Sequence, residues 1–249
     1  MSADNRETLC FLHGWGLNRH VWSGFVEGFL LEWNVNTPGL PGYDGAAPSV
    51  SGLDDVARAL LAEVPDDSIL IGWSLGGMIG TRIATMKPIR KLILLASSPC
   101  FVKKDDWPCG AEAELVERLR QRMQESPGKA LQEFAQLSSR GDDNPRATYR
   151  VLSTLLKKNR AHPDALIDGL NMLLHTDLCA EFSGLKCKTS VILAANDQLL
   201  SVAAGAAMQS LRPGLELEVV EGTGHAPFIS SPDETRRSLL AMLKPGVAG

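Results

Sequence analysis

The run Gly72-Trp73-Ser74-Leu75-Gly76 stands between an apolar segment, 69–72, and a helix-period segment, 75–86. A serine on so sharp a strand-to-helix turn is held in a strained backbone, and the glycines on either side remove the side chains that would clash at the crossing. Ser74 then meets the amino end of the helix, where the dipole and free N–H groups favour developing negative charge. A five-residue pattern with three fixed positions also arises by chance, and the flanking strand and helix are what favour a nucleophile here.

A serine hydroxyl needs a base to take its proton and a carboxylate to orient that base. His225 lies in the glycine-rich run Glu221-Gly-Thr-Gly-His-Ala-Pro-Phe after the last apolar segment, whereas His20, His162 and His175 sit on helices or their ends and His13 opens the first loop. Asp197 ends Val191-Ile-Leu-Ala-Ala-Asn-Asp and is the expected acid. Asn196-Asp197 can also be read as a turn or a helix cap, and Asp105 and Asp106 remain the alternative carboxylates. An oxyanion needs two donors, expected at the N–H of Leu75 and, in Leu12-His-Gly-Trp-Gly, that of Trp15; His13-Gly14 is equally compatible with a plain tight turn.

Positioning these groups requires strands that all end on one edge. Short apolar runs at 9–12, 35–37, 69–72, 92–96, 191–195 and 215–220 suit buried parallel strands, and helix-period segments fall at 21–30, 53–64, 75–86, 202–211 and 234–243. That alternation predicts an α/β fold with a doubly wound, mostly parallel sheet covered on both faces. From 103 to 184 no strand pattern appears, and four helices are expected at 111–125, 127–139, 145–158 and 163–175, joined at prolines. This stretch reads as a helical lid on the carboxyl edge of the sheet, where such folds bind ligands, with 1–102 and 185–249 forming the core.

The chain has 249 residues, 25 Lys plus Arg and 29 Asp plus Glu, and a formal charge of −4, with 44% hydrophobic and 22% charged residues. That is a globular composition without the positive excess that nucleic acid or an anionic membrane surface would attract. The longest uncharged runs, 68–81 and 198–211, fall short of the roughly 20 apolar residues of a membrane span. Met1-Ser-Ala-Asp-Asn-Arg-Glu-Thr lacks the order of a signal peptide, so a cytoplasmic protein, acting as a monomer, is expected. Cys10, Cys100, Cys109, Cys179 and Cys187 show neither disulfide nor metal spacing and read as reduced, mostly buried thiols. Neither metal nor organic cofactor is needed for the chemistry inferred.

Leu12-His-Gly-Trp-Gly-Leu-Asn18, Gly72-Trp-Ser-Leu-Gly-Gly77, Ala96-Ser-Ser-Pro-Cys-Phe101, Trp107-Pro108 and Gly224-His-Ala-Pro-Phe-Ile-Ser230 together resemble the α/β-hydrolases. Within them the similarity is to the pimeloyl-[acyl-carrier protein] methyl ester carboxylesterases of biotin synthesis. The resemblance implies an α/β-hydrolase fold and hydrolysis of a methyl ester at the distal end of a pimeloyl chain on acyl carrier protein, with release of methanol. It also implies that an acyl tunnel is lined from the lid at Phe134 and Leu137, with Ala135, Gln136 and Ser138 sharing position only, and that Lys129, Arg146 and Arg150 meet the acidic carrier. The chain departs from the family at Glu133, which stands where a base is usual, in having no glycine in Ala194-Ala-Asn-Asp197, and in the short run before its first strand.

Independently of family, residues 140–160 hold six basic side chains (Arg140, Arg146, Arg150, Lys157, Lys158, Arg160) against Asp142 and Asp143. A carrier-docking patch and an ordinary solvated helix face are both open readings of that run. Two rival functions use the same residues: a general short-chain ester or lactone hydrolase, and a ligand receptor built on the hydrolase pocket.

Overall fold

The elements at the centre of the molecule are the ones with the least polar sequence. In the computed structural model, which describes residues 6–45, 47–158 and 161–244, β3 (Ile69–Trp73) and β4 (Lys91–Leu95) are buried at every position. They are flanked by β1 (Thr8–Leu12) and β2 (Asn34–Asn36) on one side and by β5 (Lys188–Ala194) and β6 (Glu216–Val220) on the other, in the order β2-β1-β3-β4-β5-β6. Every pairing between these six strands is parallel, so the sheet is parallel throughout where the sequence reading expected it to be mostly so. Met1–Asn5, read above for targeting, and Arg160 of the basic run lie outside the described residues.

Side chains alternate across a strand, which assigns the helices to faces. Leu70 and Leu92 lie under Gly80 of α3 (Leu75–Met86), whose lack of a side chain lets the helix settle on the sheet. Beside α3 run α2 (Gly52–Leu60) and α8 (Cys179–Gly184), tied by Arg82, which forks onto Asp54 at 2.7 Å and reaches Glu181 at 3.6 Å. On the opposite face Phe11 packs against Trp22, Phe25 and Phe29 with ring centroids 5.2, 6.4 and 5.8 Å apart.

Those three aromatic residues come from the segment expected to be one helix, 21–30. It is instead a 3-10 turn (Arg19–Trp22), α1 (Ser23–Val26) and a second 3-10 turn (Glu27–Phe29). Gly24 and Gly28 each weaken an α-helix by about 1 kcal/mol, and Gly28 leaves the space taken by Arg236, whose guanidinium lies 5.4 Å from the Phe25 ring. Arg236 belongs to α11 (Pro232–Leu243), which follows the short α10 (Pro227–Ser230); α9 (Ala203–Leu211) lies between β5 and β6 in the chain.

Between β4 and β5 come α4 (Ala113–Glu125), α5 (Pro127–Ser139), α6 (Pro145–Lys158), α7 (Pro163–His175) and α8. The last three of the four expected helices have the bounds read from sequence, because Pro at the first helical position marks each start. Among the described residues no helix is long and apolar enough to cross a membrane.

The β3–α3 crossing leaves no room for a side chain. A Cβ at Gly72 would collide with Gly76 O and Gly77 Cα, both backbone atoms that cannot swing aside. Gly72→Ala is therefore expected to cost at least about 2 kcal/mol, whereas Gly24→Ala, with nothing within 4 Å of the new methyl, changes stability by less than about 1 kcal/mol. Urea unfolding of the two variants checks this, and equal effects would mean that the crossing is slack.

Candidate active site

Ser74 follows β3 and precedes α3, with φ at 54°. A non-glycine residue in that region costs about 1–3 kcal/mol, and three contacts hold it there. Ser74 N–H donates to Leu95 O at 3.0 Å, Gly77 N–H donates to Ser74 O at 2.9 Å, and the Ser97 hydroxyl donates to the same carbonyl at 2.6 Å. Gly76 is needed as well, since a Cβ there would lie 2.5 Å from Leu12 O and 2.6 Å from His13 O. Gly77 leaves room for Ser97, a role the five-residue pattern does not encode.

His225 is fully buried, with Nε2 2.8 Å from Ser74 Oγ and Nδ1 2.7 Å from Asp197 Oδ2. Asp197 Oδ1 accepts the N–H groups of Leu199 at 2.7 Å and Leu200 at 3.1 Å, which fixes the carboxylate with Oδ2 turned to the imidazole. The network assigns the proton to Nδ1 and leaves Nε2 free to accept from the serine. Asp105 and Asp106 are exposed and make no such contact. The missing glycine in Ala194–Asp197 has no consequence, because no residue of that turn has a positive φ; Ala195 and Asn196 donate to Val220 O and Thr223 O, both at 3.0 Å.

Ser74 itself is only 2% exposed. Phe134 of α5 closes over the site, its ring 5.0 Å from Trp15 and 6.4 Å from His225. Leu75, as the first residue of α3, has an N–H without an intrahelical partner, and Trp15 is fixed by its indole N–H, which donates to Leu166 O at 2.7 Å. From below, the indole of Trp73 donates to His225 O at 2.7 Å, and Trp22 and Phe228 pack on the Trp73 ring. Among the described residues no three His, Cys, Asp or Glu side chains converge as a metal site.

Residues 11–237 match the model of the alpha/beta hydrolase family. The chain belongs to that family. The pimeloyl-[acyl-carrier protein] methyl ester esterase of Aromatoleum aromaticum is 34% identical over 238 residues, 92% of this chain and 95% of that protein. The enzyme of the same description from Pectobacterium atrosepticum is 33% identical over 94% of this chain and 92% of its own length. Among solved structures, an esterase from Exiguobacterium antarcticum superposes with a TM-score of 0.84 at 22% identity, covering 96% of this chain and 92% of that one. A bromoperoxidase from Bacillus anthracis gives 0.86 at 19%, covering 97% and 93%. At these identities the two structures speak for the fold alone.

In this alpha/beta hydrolase the remaining residues singled out from sequence are dispersed around α5. Ala135 and Ser138 are buried, and Ser138 O accepts the His225 N–H at 3.0 Å. Gln136 is exposed and, with Leu137 and Lys129, lines a cleft on the α4 side beside Arg118 and Arg122. Both arginines pair with Glu133, at 3.2 and 2.9 Å, so the acid at that position is neutralised locally. Arg146 and Arg150 instead line a groove of about 580 Å³ on the α6 side. The expected docking residues therefore face two channels, and Gln136 lies on the one beside α4. Of the cysteines, Cys10 and Cys100 are buried, with thiols pushed up to about 12 and about 11 mainly by desolvation, while Cys109, Cys179 and Cys187 are only half-buried.

His13 serves the loop and not the chemistry. Its Nε2 accepts Leu40 N–H at 3.0 Å and its Nδ1 meets Gly14 O at 2.9 Å, and burial lowers its pKa from 6.5 to about 4. The unfolded chain takes up this proton near 6.5 and the folded one only near 4, so stability is lost as pH falls through that window. Between pH 7.5 and 5 His13 is expected to account for a loss on the order of 2 kcal/mol. Urea unfolding should show this loss in the wild type and a smaller one in His13→Gln.

Proposed function

We propose that the chain is a serine carboxylesterase whose substrate is the methyl ester of a pimeloyl chain on acyl carrier protein. The observation that carries the esterase reading is the continuous hydrogen-bonded line from Ser74 Oγ through His225 to Asp197, set in a positive-φ turn at the amino end of α3. Ser74 Oγ attacks the ester carbonyl as its proton passes to His225 Nε2, and the Trp15 and Leu75 N–H groups receive the oxyanion. Collapse breaks the bond to the methoxy oxygen, which leaves as methanol with the proton from Nε2. Water then attacks the acyl-serine with His225 again as base, releasing the carboxylate and restoring the hydroxyl.

The carrier-bound substrate is supported by the two relatives named above and by the α5–α6 groove. Leu131, Tyr149 and Leu156 give it an apolar lining, while Arg146, Arg150 and Lys157 supply positive charge. Leu131 and Phe134 both lie against Gly16, the neighbour of Trp15, so the groove adjoins the wall of the reacting centre. Residues 103–184 act in this reading as the lid, and the charged rim as the place where an acidic carrier is steered.

Ser74→Ala is expected to abolish ester hydrolysis and labelling by a fluorophosphonate while the chain stays folded, and Asp197→Asn to lower kcat by about 10⁴. Persistent labelling of the serine variant would sink the assignment. Arg146→Glu with Arg150→Glu should lower kcat/KM on the carrier-bound methyl ester while sparing p-nitrophenyl acetate. The difference should shrink as salt rises, because exposed charges are screened beyond about 8 Å. Equal loss on both esters would indicate lid damage, and no loss on either would favour the general short-chain esterase.

A further inference from the structure

The loop that carries His225 is held on one side by the sheet, through Trp73 and Asn196, and on the other by the turn between α5 and α6. Gly224 N–H donates to Asp142 Oδ1 and His225 N–H to Ser138 O, while Asp143 N–H donates to Gly222 O at 2.9 Å. A Cβ at Gly224 would lie 2.7 Å from Arg140 O and 2.8 Å from Ser138 O, so loop and turn are in backbone contact. The same turn reaches the acid: Gly141, with φ at 97°, offers its carbonyl to Asn196 Nδ2 at 3.0 Å, next to Asp197. One five-residue stretch, 139–143, with Ser138 before it, thus touches the loops of both His225 and Asp197.

Asp142 is the unusual member. It is 6% exposed, and its second carboxylate oxygen has no hydrogen-bond partner among the described residues. Burying a carboxylate on a single backbone N–H is unfavourable, and the turn as such does not require it, since its own bonds, including Asp142 N–H to Ser139 O at 3.3 Å, are made by backbone groups and not by this side chain. What Asp142 does alone is fix Gly224, the residue before His225.

We infer that Asp142 is a positioning residue, which sets the height of the imidazole between Ser74 Oγ and Asp197 by anchoring the Gly224 N–H. The inference rests on the triad reading above. Without the anchor the loop relaxes, and a displacement of about 1 Å at a proton-transfer group costs up to about 100-fold in rate. The loss falls on kcat, because Asp142 is part of no surface that a small ester touches.

The experiment compares Asp142→Ala and Asp142→Asn with the wild type on p-nitrophenyl acetate, alongside fluorophosphonate labelling rates and thermal unfolding. The alanine variant is expected to lose tenfold to about 100-fold in kcat with KM within about twofold, and its labelling rate to fall in parallel. Asparagine keeps an acceptor for Gly224 and should restore kcat to within about threefold. An alanine variant that loses only thermal stability, or an asparagine variant as slow as alanine, overturns the inference. Should the alanine variant not fold, Asp142→Glu shifts the acceptor by one methylene; a tenfold loss in kcat supports positioning and an unchanged kcat refutes it. His225→Ala is the control, since activity there would overturn the triad itself and not the role of Asp142.

Discussion

The structure depends on how closely α3 is brought to the end of β3. A strand and a helix joined by a single residue can cross only if no side chain lies between them, and Gly72, Gly76 and Gly77 together clear that space. The cost appears as the positive φ of Ser74, and it is sustained by the carbonyl of Leu95 and the hydroxyl of Ser97. Everything else at the site is built around this fixed oxygen. The first loop passes so near that Leu12 O and His13 O touch Gly76, which brings Gly14, the neighbour of Trp15, against Ser74. His13, kept neutral by its burial, ties that loop to Leu40.

Much of this arrangement is legible in the sequence because its signals are local. Apolar runs of about five residues alternating with helical periods suffice for a parallel sheet, and proline at a first helical turn marks α5, α6 and α7 to the residue. Ser74, Asp197 and His225 are legible for a different reason: each follows a strand, and strands that run parallel end on one edge, so their loops must meet. What sequence does not show is the broken segment 19–29, where glycines and the demands of an aromatic cluster outweigh helical period, or the closure of Ser74 under Phe134. Both are decided by packing between residues far apart in the chain. The indole of Trp73 under His225 O belongs to the same class, although its place inside the elbow already sets it apart. Asp142 could have been suspected only as one of two acids in a basic run.

The distribution of charge follows a similar logic. α5 separates a cleft holding Arg118, Arg122 and Lys129 from a groove holding Arg146, Arg150 and Lys157. Glu133 pairs with Arg118 and Arg122 in the first, whereas nothing acidic lines the second, so the bases of the groove are free of a local partner that two of the cleft's bases have. A linear count over 140–160 registers the charge but cannot divide it between the two sides of a helix.

The joining of turn 139–143 to the loops of both His225 and Asp197 bears on how such an enzyme can diversify. Helical insertions of this kind look exchangeable, a cap that recombination or design could replace to accept another acyl group. Here the helical segment holds the loops of His225 and Asp197 in place, so a transplanted one would have to bring its own equivalent of Ser138, Gly141 and Asp142. In the proposed esterase, change of specificity is therefore easier by substitutions along the groove walls of α5 and α6 than by exchange of the whole helical segment.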